Sequence, residues 1–134
     1  MASSSKDGLI RIWRMTQDQG ALKFHKNVQK LNKSKLSIYL ESVLSSHECS
    51  VTSLSWGLFE NKLRLVSCSL DCTLCIWESQ EEGWTVAHRL GQLIGNKNAY
   101  FDVKVQASSR LIVALNYTGA VLIWRETPEG FVLR

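Results

Sequence analysis

Proline is nearly missing from this chain: Pro128 is the single example in 134 residues. That excludes a proline-rich linker or a collagen-like tract. Long apolar runs are missing as well. A segment such as Leu111-Ile112-Val113-Ala114-Leu115 falls far short of the roughly 18 residues a membrane helix needs, so no membrane partner is expected. Residues Met1 to Asp7 contain no apolar core, and the expectation is a soluble intracellular protein without a secretory leader. Cysteine is sparse, with only Cys49, Cys68, Cys72 and Cys75. In a reducing compartment such thiols stay free, which argues against a disulfide framework. An excess of one charge is also absent over most of the chain. The net charge is +4, and residues 15–36 alone hold five lysines against Asp18, so the rest is close to neutral.

What is present is a phrase written three times. Its copies are Ser3-Ser4-Ser5-Lys6-Asp7-Gly8-Leu9-Ile10-Arg11-Ile12-Trp13, then Ser67-Cys68-Ser69-Leu70-Asp71-Cys72-Thr73-Leu74-Cys75-Ile76-Trp77, then Ala114-Leu115-Asn116-Tyr117-Thr118-Gly119-Ala120-Val121-Leu122-Ile123-Trp124. Each copy reads as a hairpin: a small-residue strand, a turn, and an alternating apolar strand that ends on tryptophan. Gly8 and Gly119 supply positive φ at the turn, where Cys72 is a poorer choice. Ile10/Ile12, Leu74/Ile76 and Val121/Ile123 alternate with period two, which buries one face of each strand against a neighbouring sheet.

The closing tryptophans are 64 and 47 residues apart (77 − 13 and 124 − 77). WD40 repeats recur roughly every 40–45 residues, so the first gap carries an insertion of about 20. Residues 38–44 and 85–90 read as outer strands, and 51–56 and 100–105 as inner strands. The chain therefore resembles the WD40 family. The expected fold is all-β: a partial propeller with about two complete four-stranded blades, half a blade and a C-terminal stub. The expected divisions are a half blade over 1–14, a basic inter-blade insertion over 15–36, complete blades over 37–79 and 80–126, and the start of an unfinished blade over 127–134. Propellers close with typically four to eight blades, so a fragment of a longer protein is expected.

In the WD40 family a His, an Asp, a Trp and a strand Ser or Thr form a hydrogen-bonded tetrad that locks a blade. The resemblance places these roles on His47, Asp71 and Trp77, with Ser69 or Ser67 as the fourth member. Ser46-His47 stands where the family has Gly-His. Thr118 replaces the aspartate in the third copy, which has no histidine nearby, so no tetrad is expected there.

Within WD40 proteins the chain resembles the family of Elongator second subunits. The residues that carry this are Glu41 to Glu48, Leu65 to Asp71 continuing through Trp77-Glu78, and the ordered series Gly95-Asn96, Tyr100-Phe101-Asp102 and Gly119 to Trp124. The resemblance implies the first of two propellers and a non-catalytic scaffold role in assembling the complex that modifies the wobble uridine of transfer RNA. Other Elongator subunits would be its partners, and its location cytoplasmic with a nuclear fraction. Two alternatives stay open: a generic WD40 adaptor serving ubiquitin ligases, trafficking or chromatin, and a module with weak RNA contact.

The remaining motifs favour plain readings. Cys68-x3-Cys72-x2-Cys75 has the spacing that holds an iron–sulfur cluster in radical enzymes. The sister hairpins form without cysteine at those places, so the cysteines read as small packing residues and no cofactor is expected. His25, His47 and His88 have no metal-ligand spacing, and no metal is expected. Lys23, Lys26, Lys30 and Lys33 recur every three to four residues and suit weak contact with RNA phosphates. The simpler reading is a solvated loop, because no aromatic stacking platform accompanies them. No Ser-His-Asp set, phosphate loop or carboxylate pair stands out. Neither catalysis nor a small-molecule substrate is expected.

Overall fold

The computed structural model describes residues 1–18, 35–59, 62–91 and 98–134. The basic segment with His25, Lys23, Lys26, Lys30 and Lys33 lies outside the described residues, so the expected RNA contact falls there too.

Eleven strands form among the described residues. β1 is Ala2–Ser4, β2 Leu9–Asp18, β3 Lys35–Ser45, β4 Val51–Phe59, β5 Lys62–Ser69 and β6 Leu74–Gln80. β7 is Gly83–Leu90, β8 Tyr100–Gln106, β9 Leu111–Asn116, β10 Val121–Thr127 and β11 Gly130–Leu133, with one 3₁₀ turn at Ala107–Ser109. They pair into sheets ordered β1-β2-β3, β4-β5-β6-β7 and β11-β10-β9-β8. Every pairing is antiparallel between strands consecutive in the chain. The three repeated hairpins are β1–β2, β5–β6 and β9–β10.

Sheet membership differs from the expected partition. Residues 37–45 do not open the second sheet; Leu9 to Asp18 pair with them from Ser45 back to Lys35, which completes the first sheet. Likewise β7 closes the second sheet and β11 the third, so the expected C-terminal stub is the outer strand of an existing sheet. The reason is local. Each tryptophan strand exposes an unpaired edge, and the next strand along the chain satisfies its N–H and C=O groups by returning antiparallel. Sheet boundaries are therefore offset by one strand from repeat boundaries.

The packing follows the alternation. Between the first and second sheets lie Ile10, Ile12, Leu44, Val51, Leu65, Cys75 and Trp77. Between the second and third lie Phe59, Val66, Cys68, Leu74, Ile76, Tyr100, Val103, Ile112 and Trp124. The middle sheet thus buries both faces rather than one, and β5 is buried continuously from Arg64 to Ser69. Arg64 belongs to that run because its guanidinium bonds Glu78 on β6 and Glu126 on β10, tying the second sheet to the third. A buried cation needs such partners. The register shifts at Ile12/Trp13 and Ile76/Trp77 leave one extra residue on the outer strand just before each tryptophan pairs. Such bulges re-aim the side chains beside them.

Candidate functional site

The turn of the repeated hairpin is built the same way three times. Gly8, Cys72 and Gly119 have φ of 79°, 68° and 84°. Ahead of each, a short polar side chain takes up loose backbone N–H groups. Asp7 Oδ1 accepts from Leu9 N, and Asp71 Oδ1 accepts from Thr73 N, both at 2.9 Å. In the third turn Asn116 Oδ1 accepts from Thr118 N at 3.1 Å and Ala120 N at 2.9 Å. Sequence reasoning missed Asn116; an asparagine at the end of a strand before a glycine turn was the available signal.

The second hairpin adds a side-chain relay. Trp77 Nε1 donates to Ser67 Oγ at 2.8 Å, and Ser67 Oγ lies 2.8 Å from His47 Nε2. His47 Nδ1 lies 2.8 Å from Asp71 Oδ2. A neutral imidazole protonated on Nδ1 satisfies the whole chain: Trp77 to Ser67, Ser67 to His47, His47 to Asp71. The His47 side chain has no exposed surface. Burial, the largest influence, holds its pKa below the ordinary 6.5 despite the pull of Asp71. Asp71 is held ionised because donors surround it. Burial works against its charge, but Thr73, His47 and the Glu48 N–H outweigh that and lower its pKa.

The structure therefore brings His47, Asp71 and Trp77 together, with Ser67 as the fourth member. Ser69 is a correction: its Oγ donates to Cys49 O at 3.2 Å and accepts from Asp71 N at 3.1 Å, bracing the turn from outside the relay. The repeat register explains the choice. Ser67 precedes Trp77 by ten residues as Ser3 precedes Trp13, and Trp13 Nε1 donates to Ser3 Oγ at 2.8 Å. Ala114 fills that place before Trp124 and offers no hydroxyl.

Ser67, His47 and Asp71 also stand in the order of a hydrolytic triad, an arrangement the linear sequence did not suggest. Ser67 is fully buried, and its oxygen is already occupied by the Trp77 N–H. No substrate carbonyl reaches that oxygen in this geometry, so the relay is arranged to hold strands together.

The cysteine spacing resolves in the same way. Cys68 pairs opposite Leu74 and Cys75 opposite Ser67, which sends the two thiols to opposite faces of the middle sheet. Cys68 packs toward the third sheet and Cys75 toward the first, while Cys72 sits on the turn. Three thiolates on two faces do not converge on one cluster. Burial pushes the Cys68 and Cys75 thiols up to about 11. His88 lies on β7 against Phe131 of β11, ring centroids 5.3 Å apart, and takes no part in the His47 relay.

Comparison with known proteins adds to this geometry. Residues 39–78 match the family model described as "WD domain, G-beta repeat". Elongator complex protein 2 of Mus musculus is 30% identical over 95% of this chain and 18% of that protein. The Drosophila melanogaster protein of the same name is 29% identical over 96% of this chain and 19% of its own length. Protein HIRA homolog of Drosophila melanogaster is 34% identical over 65% of this chain and 8% of that protein. The chain thus spans less than a fifth of the length of the Elongator relatives it matches and, with its repeats, has the features of a scaffold-type protein. It is a WD40-repeat chain of β-propeller blades, similar over nearly its whole length to one stretch of Elongator complex protein 2.

Proposed function

We infer that this chain is a non-catalytic scaffold element of Elongator, part of the first of two propellers, and that it supports wobble-uridine modification of transfer RNA by holding other subunits in register. The observation that carries this is the similarity to Elongator complex protein 2 across 95% of the chain. The inward-facing relay supports it: the one Ser-His-Asp set among the described residues is consumed by strand locking. Propeller loops and rims then remain for partners. The chemistry belongs to another subunit, and the site of action is the cytoplasm with a nuclear fraction.

Affinity purification of the tagged chain from its own cells tests this. Recovery of the Elongator catalytic and large subunits supports it; recovery of a different partner set from folded protein overturns it. That outcome would favour a generic WD40 adaptor serving another assembly. Transfer-RNA contact through Lys23, Lys26, Lys30 and Lys33 is a separate proposal. It requires RNA binding that weakens with salt and is lost when these lysines become alanine.

A further inference from the structure

The middle sheet shows what an apolar face meets in this stack. Toward the third sheet it presents Val66, Cys68, Leu74 and Ile76, all fully buried. Toward the first sheet it sets Leu65, Cys75 and Trp77 against Ile10 and Ile12. Both junctions are directional: an aliphatic row from one sheet meets a face of the next that carries a tryptophan. Trp77 and Trp124 hold the same place in their repeats, and each is only 3% exposed because the preceding sheet covers it.

The two outermost faces repeat the two halves of such a junction, and no described residue covers either. The 47-residue spacing of Trp77 and Trp124 carries Val66, Cys68, Leu74 and Ile76 onto Val113, Leu115, Val121 and Ile123. Pairing sets Val113 beside Ile123 and Leu115 beside Val121, so the four make one patch. Alternation turns them away from Ile112 and Ala114, which face the second sheet. Val121 is 61% exposed where Leu74, its equivalent, is 0%. At the other end, Ile10 and Ile12 face the second sheet, so Arg11 and Trp13 point away from it. Val43 and Leu40 of β3 stand opposite these two and are 49% and 46% exposed. Trp13, the equivalent of Trp77, is half-buried rather than closed in.

One end of the stack therefore offers an aliphatic row, and the other offers the tryptophan face on which such a row packs. The charges at these faces bring partners with them: Arg11 binds Asp7 at 2.8 Å and Lys104 binds Asp102 at 3.2 Å. Covering the faces leaves neither pair without its counter-charge. Both halves of the junction belong to one chain, so a second copy supplies what each face lacks. Head-to-tail contacts of this kind build a ring when the rotation closes and a filament when it does not. One copy brings three sheets, too few for a propeller; two bring six, inside the typical range of four to eight, and three bring nine, outside it. We propose that this chain pairs head to tail with a second copy of itself, the third sheet of each on the first sheet of the other, closing a six-sheet ring. The proposal concerns the chain's own faces and does not rest on the Elongator reading.

Sedimentation equilibrium of the full chain tests it. The expected result is twice the chain mass at about 50 µM, falling to the chain mass on dilution. Val121→Lys charges the row of the third sheet and Val43→Lys the face of the first, both at exposed positions. Because each contact needs one face of either kind, each variant alone should sediment at the chain mass at that concentration. Circular dichroism melts of dilute protein separate lost pairing from lost fold. Val121→Thr and Val43→Thr, which keep the β-branch, replace a lysine variant that does not fold and should weaken pairing in the same sense. A chain mass that persists up to about 200 µM overturns the proposal. So does a ladder of rising masses, which would mean an open filament. Pairing that survives in one of the two lysine variants also overturns it, since like faces would then be meeting.

Discussion

Trp77 and Ser67 lie ten residues apart on the two strands of one hairpin, and the indole N–H of the first is held 2.8 Å from the hydroxyl of the second. The same bond joins Trp13 to Ser3. Ser67 accepts there and donates to His47, so deleting its hydroxyl strands two buried polar groups at once. Ser67→Ala should therefore destabilise by about 1–3 kcal/mol. A double-mutant cycle with Trp77→Phe isolates the bond. Coupling above about 0.5 kcal/mol is expected for Ser67, and near-additivity for Ser69→Ala with the same partner. Equal coupling at both serines would show that the relay runs differently.

His47 makes stability depend on pH. Its folded pKa lies below the ordinary 6.5. At pH values above 6.5 the ring is neutral in both folded and unfolded chains, and its contribution is complete. As pH falls below that value the unfolded chain takes up a proton the folded chain refuses, so stability declines until the depressed pKa is passed. Asp71, whose pKa is lowered from 3.8, contributes stability present above 3.8 and lost as pH falls through its own depressed value. The melting temperature should therefore drop from pH 7 to pH 5, and His47→Asn should melt lower overall but with a flatter slope in that window. Parallel slopes for the two proteins would show that another group titrates.

These bonds mark where the sequence was legible and where it was not. The hairpins were legible because period-two alternation into a tryptophan depends only on neighbours along the chain, and the strands carrying Trp13, Trp77 and Trp124 form as that alternation requires, although each continues past its tryptophan. The sheet to which residues 37–45 belong was not. Their alternation is the same whichever sheet they join, and the outcome depends on which edge remains unpaired. The choice between Ser67 and Ser69 was hidden for a related reason. Two residues apart on one strand, they share a face, and alternation cannot separate them. The ten-residue register with Ser3 and Trp13 could have done so.

The cysteines should divide sharply in reactivity. Cys49 is exposed, whereas burial pushes Cys68 and Cys75 up to about 11. The thiolate is the reacting species, and little of it exists at neutral pH in the buried pair. Brief iodoacetamide treatment of native protein, read by peptide mass spectrometry, should label Cys49 first and leave Cys68 and Cys75 unmodified until denaturant is added. Rapid native labelling of Cys75 would show that the contact between the first two sheets opens readily.

Cys72 is one of two non-glycine residues held at positive φ among the described residues, the other being Arg110. Its φ of 68° belongs to a turn whose sister positions are Gly8 and Gly119 at 79° and 84°. A side chain with Cβ in this region costs roughly 1–2 kcal/mol. Glycine removes that cost but gives back part of it through the added freedom of the unfolded chain, by about 0.4–1 kcal/mol. The Cys72 thiol offers little in return, since its one hydrogen bond among the described residues is a 3.8 Å approach to Leu70 O. Cys72→Gly should therefore stabilise by about 0.5–1 kcal/mol, read as a higher denaturation midpoint at unchanged slope. Cys72→Ala is the control: it keeps the Cβ and should move the midpoint far less. If alanine raised stability as much as glycine, the backbone strain would not be the cause, and the thiol itself would have to be unfavourable in the turn.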